Sequence, residues 1–114
     1  MNENNSKKFW GPAIWRTIHS QAVTYQPHRA EHYKQFINTL PYLLPCAVCQ
    51  KHLAENLKQL PLEPYLTSNH NLFFWTYLLH DRINTQLGKK SPPFNDIKAE
   101  YFKALSDECA NCQL

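Results

Sequence analysis

Apolar side chains return every three or four residues through most of this chain, the rhythm of helices that bury one face. Trp15, Ile18, His19, Ala22 and Val23 mark a first helix after Trp10-Gly11-Pro12, with Pro12 acceptable in a first turn. Tyr33, Phe36, Ile37 and Leu40 predict a second from about Arg29 to Leu40, ended by Pro41. A third starts at Pro45-Cys46 and runs through Leu53 and Leu57, followed by a Pro-rich link from Leu60 to Asn71. The fourth, about Leu72 to Leu87, is the most apolar and closes at Gly88, well placed as a C-cap. A fifth opens near Pro93 or Asn95 and carries Ile97, Tyr101 and Leu105. Two glycines and eight prolines suit helices stopped by proline and leave few sites for hairpin turns. The expected class is all-α: a bundle of four helices plus a short fifth.

Length and composition narrow the field. A chain of 114 residues is one domain, and 43% hydrophobic with 18% charged content reads as globular. We assign the domain to residues 10–106, with a flexible N-terminus at 1–9 and a polar tail at 107–114. The net charge of +3 comes from scattered lysines and arginines, so no nucleic-acid stripe is expected. The longest apolar run, Leu72 to Leu79, is interrupted by Thr76 and falls short of the ~18 residues of a membrane span, so no membrane partner is expected. Residues 1–8 hold no apolar h-region, so no signal peptide is expected.

The four cysteines form two C-x-x-C pairs, Cys46/Cys49 and Cys109/Cys112. Without a secretory signal, such pairs point to metal or redox chemistry. In a first helical turn Cys46 and Cys49 share a face at a Cα separation of roughly 5–6 Å, within reach of a disulfide. The unpaired N–H groups and partial positive charge of a helix N-terminus favour a thiolate there. Four thiolates, with His52 or another histidine as substitute, also make a zinc ligand set. That would give a zinc-stabilised interaction module with no catalysis. The stretch 50–108 between the pairs exceeds the roughly 15–20 residues of compact zinc modules. Covalent haem is excluded because Gln50, not histidine, follows Cys49.

Elsewhere, polar and aromatic groups share helical faces. Phe73, Tyr77, His80, Asn84 and Leu87 fall on one stripe of the fourth helix, and Trp15 and His19 lie four apart on the first. Such stripes make a slot with flat walls and a few hydrogen-bonding groups, suited to a planar heterocycle, with Lys89, Lys90 and Lys98 beyond it for phosphates. Neither G-x-G-x-x-G nor a P-loop is present, so a nucleotide would be held by side chains of the bundle.

Three blocks, in order, carry a resemblance: Trp10-Gly11-Pro12 with Trp15, Arg16 and His19; Pro45-Cys46 with Cys49 and His52; and Trp75 with His80, Ile83, Asn84, Leu87, Gly88 and Lys89. Together they are similar to the Erv/ALR family of FAD-linked sulfhydryl oxidases, in the minimal form of large DNA viruses. The resemblance implies FAD bound non-covalently within the bundle, and a homodimer. It places Gly11, Pro12, Trp15 and His19 on the adenine and ribose side. Cys46 and Cys49 become the redox pair beside the flavin. His52, His80, Asn84 and Leu87 become pocket residues, Lys89 or Lys90 lies near the phosphates, and Tyr101 is the fifth-helix aromatic. No metal is implied.

It further implies that protein thiols, or a thioredoxin-like thiol carrier, deliver electrons through Cys109–Cys112 to Cys46–Cys49, then to FAD and O2, giving H2O2. The expected place of work is a cytoplasmic viral factory or virion, with the mitochondrial intermembrane space as the other setting. Two departures stand out. Asp81 occupies the position where the family has Asn, and a carboxylate accepts but cannot donate. No cysteine lies between Cys49 and Cys109 to form the extra structural disulfide of many cellular members.

Overall fold

The computed structural model describes residues 3–105, and every regular element among them is helical. Five α-helices follow in order: α1 (Glu3–Val23), α2 (Ala30–Leu43), α3 (Ala47–Gln59), α4 (Asn69–Gln86) and α5 (Phe94–Ala104). Short 3-10 turns at Pro27–Arg29 and Glu63–Tyr65 precede α2 and α4. Helix α4 is the centre: α1, α3 and α5 all pack on it, while α2 packs on α3. Its Leu72, Phe73, Trp75, Thr76 and Leu79 are buried, joined by Ile18 of α1 and Ile37 of α2. Polar side chains tie the connections to this core. Tyr25 donates to the Leu66 carbonyl at 2.8 Å, Asn69 to that of Val23 at 2.9 Å, and the Trp75 indole to that of Leu60 at 3.1 Å.

The boundaries correct the sequence reading in four places. Helix α1 begins at Glu3, so residues 3–9 join it and Pro12 sits inside rather than in its first turn. Pro41 likewise falls inside α2. Its missing N–H removes one rung, yet the ladder resumes with Leu44 N–H on the Leu40 carbonyl at 3.2 Å, and the proline ring is buried. Helix α4 starts three residues earlier than Leu72, because the Ser68 hydroxyl accepts the Asn71 N–H at 3.1 Å and caps the first turn. Helix α3 starts at Ala47, leaving Cys46 as its N-cap and Pro45 outside.

The expected stop at Gly88 takes the form of a Schellman motif. Gly88 adopts φ +73°, its N–H reaches the Thr85 carbonyl at 3.1 Å, and Lys89 N–H reaches that of Asn84 at 2.8 Å. Among the described residues no helix is long and apolar enough to cross a membrane.

Candidate active site

The C-x-x-C pair occupies a helix start. Cys46 is extended (φ −164°, ψ 119°), and its sulfur accepts the Cys49 backbone N–H at 3.2 Å, one of the donors that a helix's first turn cannot satisfy internally. Negative charge gathering on that sulfur therefore faces a hydrogen-bond donor and the positive end of α3. The two cysteines differ in setting. Cys49 packs against the hydrophobic core, whereas Cys46 stands between exposed Pro45 and exposed Ala47 and Val48. Tyr42 and Leu43, at the end of α2, are also exposed, so apolar residues flank Cys46 in the chain, while both cysteines are themselves half-buried.

The polar-aromatic stripes of α1 and α4 meet. The Trp15 and His80 rings stack at 3.9 Å with 6° between planes, and His19 lies 5.2 Å from His80. The Tyr101 ring closes on His19 edge-on at 5.3 Å, and the Arg16 guanidinium lies 5.0 Å over the Tyr101 ring. His19 is almost wholly buried, at 3% exposure. Its Nδ1 is 2.8 Å from the Thr76 hydroxyl and its Nε2 is 3.0 Å from His80 Nδ1. Burial pushes the His19 pKa down to about 3, helped by His80 and Arg16. Burial also pushes that of His80 down to about 4; Lys89 assists and Asp81 opposes. Both rings are therefore neutral at pH 7.

Other expected site residues fall around this cluster in different ways. Gly11 lies one turn before Trp15 on the same face of α1, and the space its side chain would occupy is open. Pro12 beside it is exposed, as are Leu87, Lys89 and Lys90 beyond the end of α4. Tyr77 and Asn84 spend hydrogen bonds on the α4–α5 connection: the Tyr77 hydroxyl donates to the Pro92 carbonyl at 2.6 Å, and Asn84 Nδ2 to Ser91 Oγ at 3.1 Å. His52 lines a different concavity with Glu55, Asn56, Gln59 and Gln86. Cys109 and Cys112 lie outside the described residues.

Sequence reasoning missed two polar groups. Thr76 interrupts an apolar run four residues before His80, a visible signal whose partner on α1 was not. Asn56, 2% exposed, pairs reciprocally with the Gln86 amide, accepts from Arg82 Nε at 3.0 Å, and donates to the His52 carbonyl at 2.8 Å.

A model of the Erv1 / Alr family matches residues 12–103. The chain belongs to the Erv1/Alr family. Within it, the 096R protein of Invertebrate iridescent virus 3 is 35% identical over 107 residues, covering 90% of this chain and 72% of that protein. A FAD-linked sulfhydryl oxidase of African swine fever virus (isolate Tick/Malawi/Lil 20-1/1983) is 31% identical over 100 residues, or 84% of this chain and 82% of its own. The FAD-linked sulfhydryl oxidase ERV1 of Arabidopsis thaliana is 28% identical over 113 residues, covering 96% of this chain and 58% of the plant protein. Membership in the Erv1/Alr family displaces the zinc-module alternative. Among the described residues no three His, Cys, Asp or Glu side chains converge for a metal ion.

Proposed function

We propose that this Erv1/Alr member is a FAD-dependent sulfhydryl oxidase that makes disulfides in protein thiols: 2 RSH + O2 → RSSR + H2O2. The supporting observation is the placement of the C-x-x-C at a helix start: both cysteines are half-buried, with the Cys46 sulfur capping α3 and Cys49 packed against the core. Exchange needs one sulfur that substrate can reach and another held by the fold. An incoming thiolate attacks Cys46, and Cys49 leaves as the thiolate. The resulting mixed disulfide at Cys46 is resolved by the second thiol of the donor. This releases oxidised donor and leaves Cys46 and Cys49 reduced, carrying the electron pair.

The residues present fit a flavin dinucleotide. Flat rings stack at Trp15 and His80, open space lies over Gly11 one turn away, and Lys89 is close enough to lower the His80 pKa. Trp15, His19 and His80 would hold the planar groups, with Lys89 or Lys90 toward the phosphates. Bound FAD supplies the two-electron oxidation of the Cys46/Cys49 dithiol and passes the pair to O2. Cys109/Cys112 would serve as the donor between protein thiols and Cys46, in a homodimer. Purified full-length protein should be yellow and form one H2O2 for each dithiothreitol oxidised. A colourless protein that consumes no oxygen with dithiothreitol refutes the proposal.

A further inference from the structure

We propose that Thr76 is a positioning residue: through His19 its hydroxyl fixes the tautomer of His80, so that His80 Nε2 meets the cofactor as a hydrogen-bond acceptor. The chain of reasoning starts at a single proton. Thr76 Oγ1 lies 2.6 Å from the Phe73 carbonyl oxygen, which can only accept, so the hydroxyl proton must point there. The same oxygen is 2.8 Å from His19 Nδ1 and has no second proton to give, so Nδ1 carries the hydrogen and donates. His19 is buried and neutral, which leaves its Nε2 bare. His80 Nδ1, 3.0 Å from that nitrogen, must in turn be the donor. His80 is neutral as well, so its remaining nitrogen, Nε2, carries a lone pair and no hydrogen.

That nitrogen is reachable. Among the described residues no fully buried side-chain nitrogen or oxygen lacks a partner, and His80 Nε2 makes no hydrogen bond within the chain. It therefore opens to solvent at the edge of the Trp15 stack. The neutral histidine side chain in water prefers its hydrogen on Nε2, so the relay imposes the less common form. A bare nitrogen selects a ligand group that brings its own hydrogen, a hydroxyl or an amine, and disfavours a carbonyl or phosphate oxygen. The groups facing this pair are Arg16 and Trp15 from α1, Tyr101 from α5, Asp81 on α4 and Lys89 after it. None of them donates to or accepts from either imidazole, so the Thr76 end alone sets its direction.

The statement about the cofactor rests on the FAD reading, whereas the tautomers do not, and one series separates them. Long-range 1H–15N spectra of the 15N-labelled full chain at neutral pH, recorded without and with FAD, report which ring nitrogen carries hydrogen. Wild type should show Nδ1–H at both His19 and His80. Thr76→Val removes the acceptor at the head of the relay, and His80 should then populate Nε2–H. Thr76→Ser should restore Nδ1–H at both. FAD titration should show about a tenfold weaker Kd for Thr76→Val and recovery in Thr76→Ser. If the valine variant does not fold, Thr76→Ala serves in its place. Nε2–H at His80 in wild type, or unchanged Nδ1–H in the folded valine or alanine variant, overturns the relay whatever happens with FAD. Wild-type tautomers as predicted without FAD binding would uphold the relay and overturn the oxidase reading instead.

Discussion

Cys46 caps α3 and, in the proposed reaction, is the sulfur that substrate attacks; two substitutions separate these roles. Serine is a better N-cap than cysteine and alanine is a poor one. Cys46→Ser should therefore keep or raise the unfolding midpoint, while Cys46→Ala lowers stability by about 1 kcal/mol. Both should abolish protein-thiol oxidation. Denaturant titration beside an oxygen-consumption assay checks the pair. A second residue-scale expectation concerns acid. His19 and His80 titrate near 6.5 when unfolded but only at about 3 and about 4 when folded. Between these limits the unfolded chain binds protons that the folded chain refuses. Stability from these groups is complete above pH 6.5 and declines as pH falls toward 4, by about 1.4 kcal/mol per pH unit for each histidine. Urea midpoints at pH 7 and pH 5 should show the decline, and His80→Gln should reduce it.

At the scale of elements, periodicity shows which face a helix buries but not where the chain enters it. Spacing alone put Trp15 with His19, whose rings lie 5.7 Å apart, and aligned Phe73, Tyr77, His80 and Asn84. Of these, His80 joins the Trp15 cluster, while Tyr77 and Asn84 bond to the α4–α5 connection. Proline was the misleading signal: at 12 and 41 it marks one missing N–H within a continuing helix. The start of α4 is legible in Ser68, a good N-cap, although the prolines of the preceding link suggest irregular chain up to Leu72. What no single helix encodes is the meeting of two of them. The Thr76–His19 and Asn56–Gln86 contacts join residues 57 and 30 positions apart, and spacing within one helix carries no information about them. The Asn56 network ties α3, which carries Cys49 and is capped by Cys46, to α4. Asn56→Ala leaves the Gln86 amide and Arg82 without their buried partner and should cost about 1–3 kcal/mol, seen as a lower thermal midpoint.

For the molecule as a whole, the family resemblance was carried by blocks distributed from α1 through α4, and the bundle brings the first and last together at Trp15 and His80. The proposed shuttle role of the tail pair belongs to this scale, because a shuttle would connect an external thiol with Cys46. Replacing Cys109 and Cys112 with serine should slow oxidation of a reduced folded protein and spare dithiothreitol; equal rates on both donors, relative to wild type, would remove the shuttle role.

Electron transfer through position 49 is most directly read without oxygen. Dithiothreitol added anaerobically to FAD-loaded wild type should bleach the blue absorption band of the bound flavin. Cys49→Ser, with FAD still bound, should stay yellow under the same treatment. Bleaching of Cys49→Ser at the wild-type rate would be incompatible with a dithiol at Cys46 and Cys49 as the route to the cofactor.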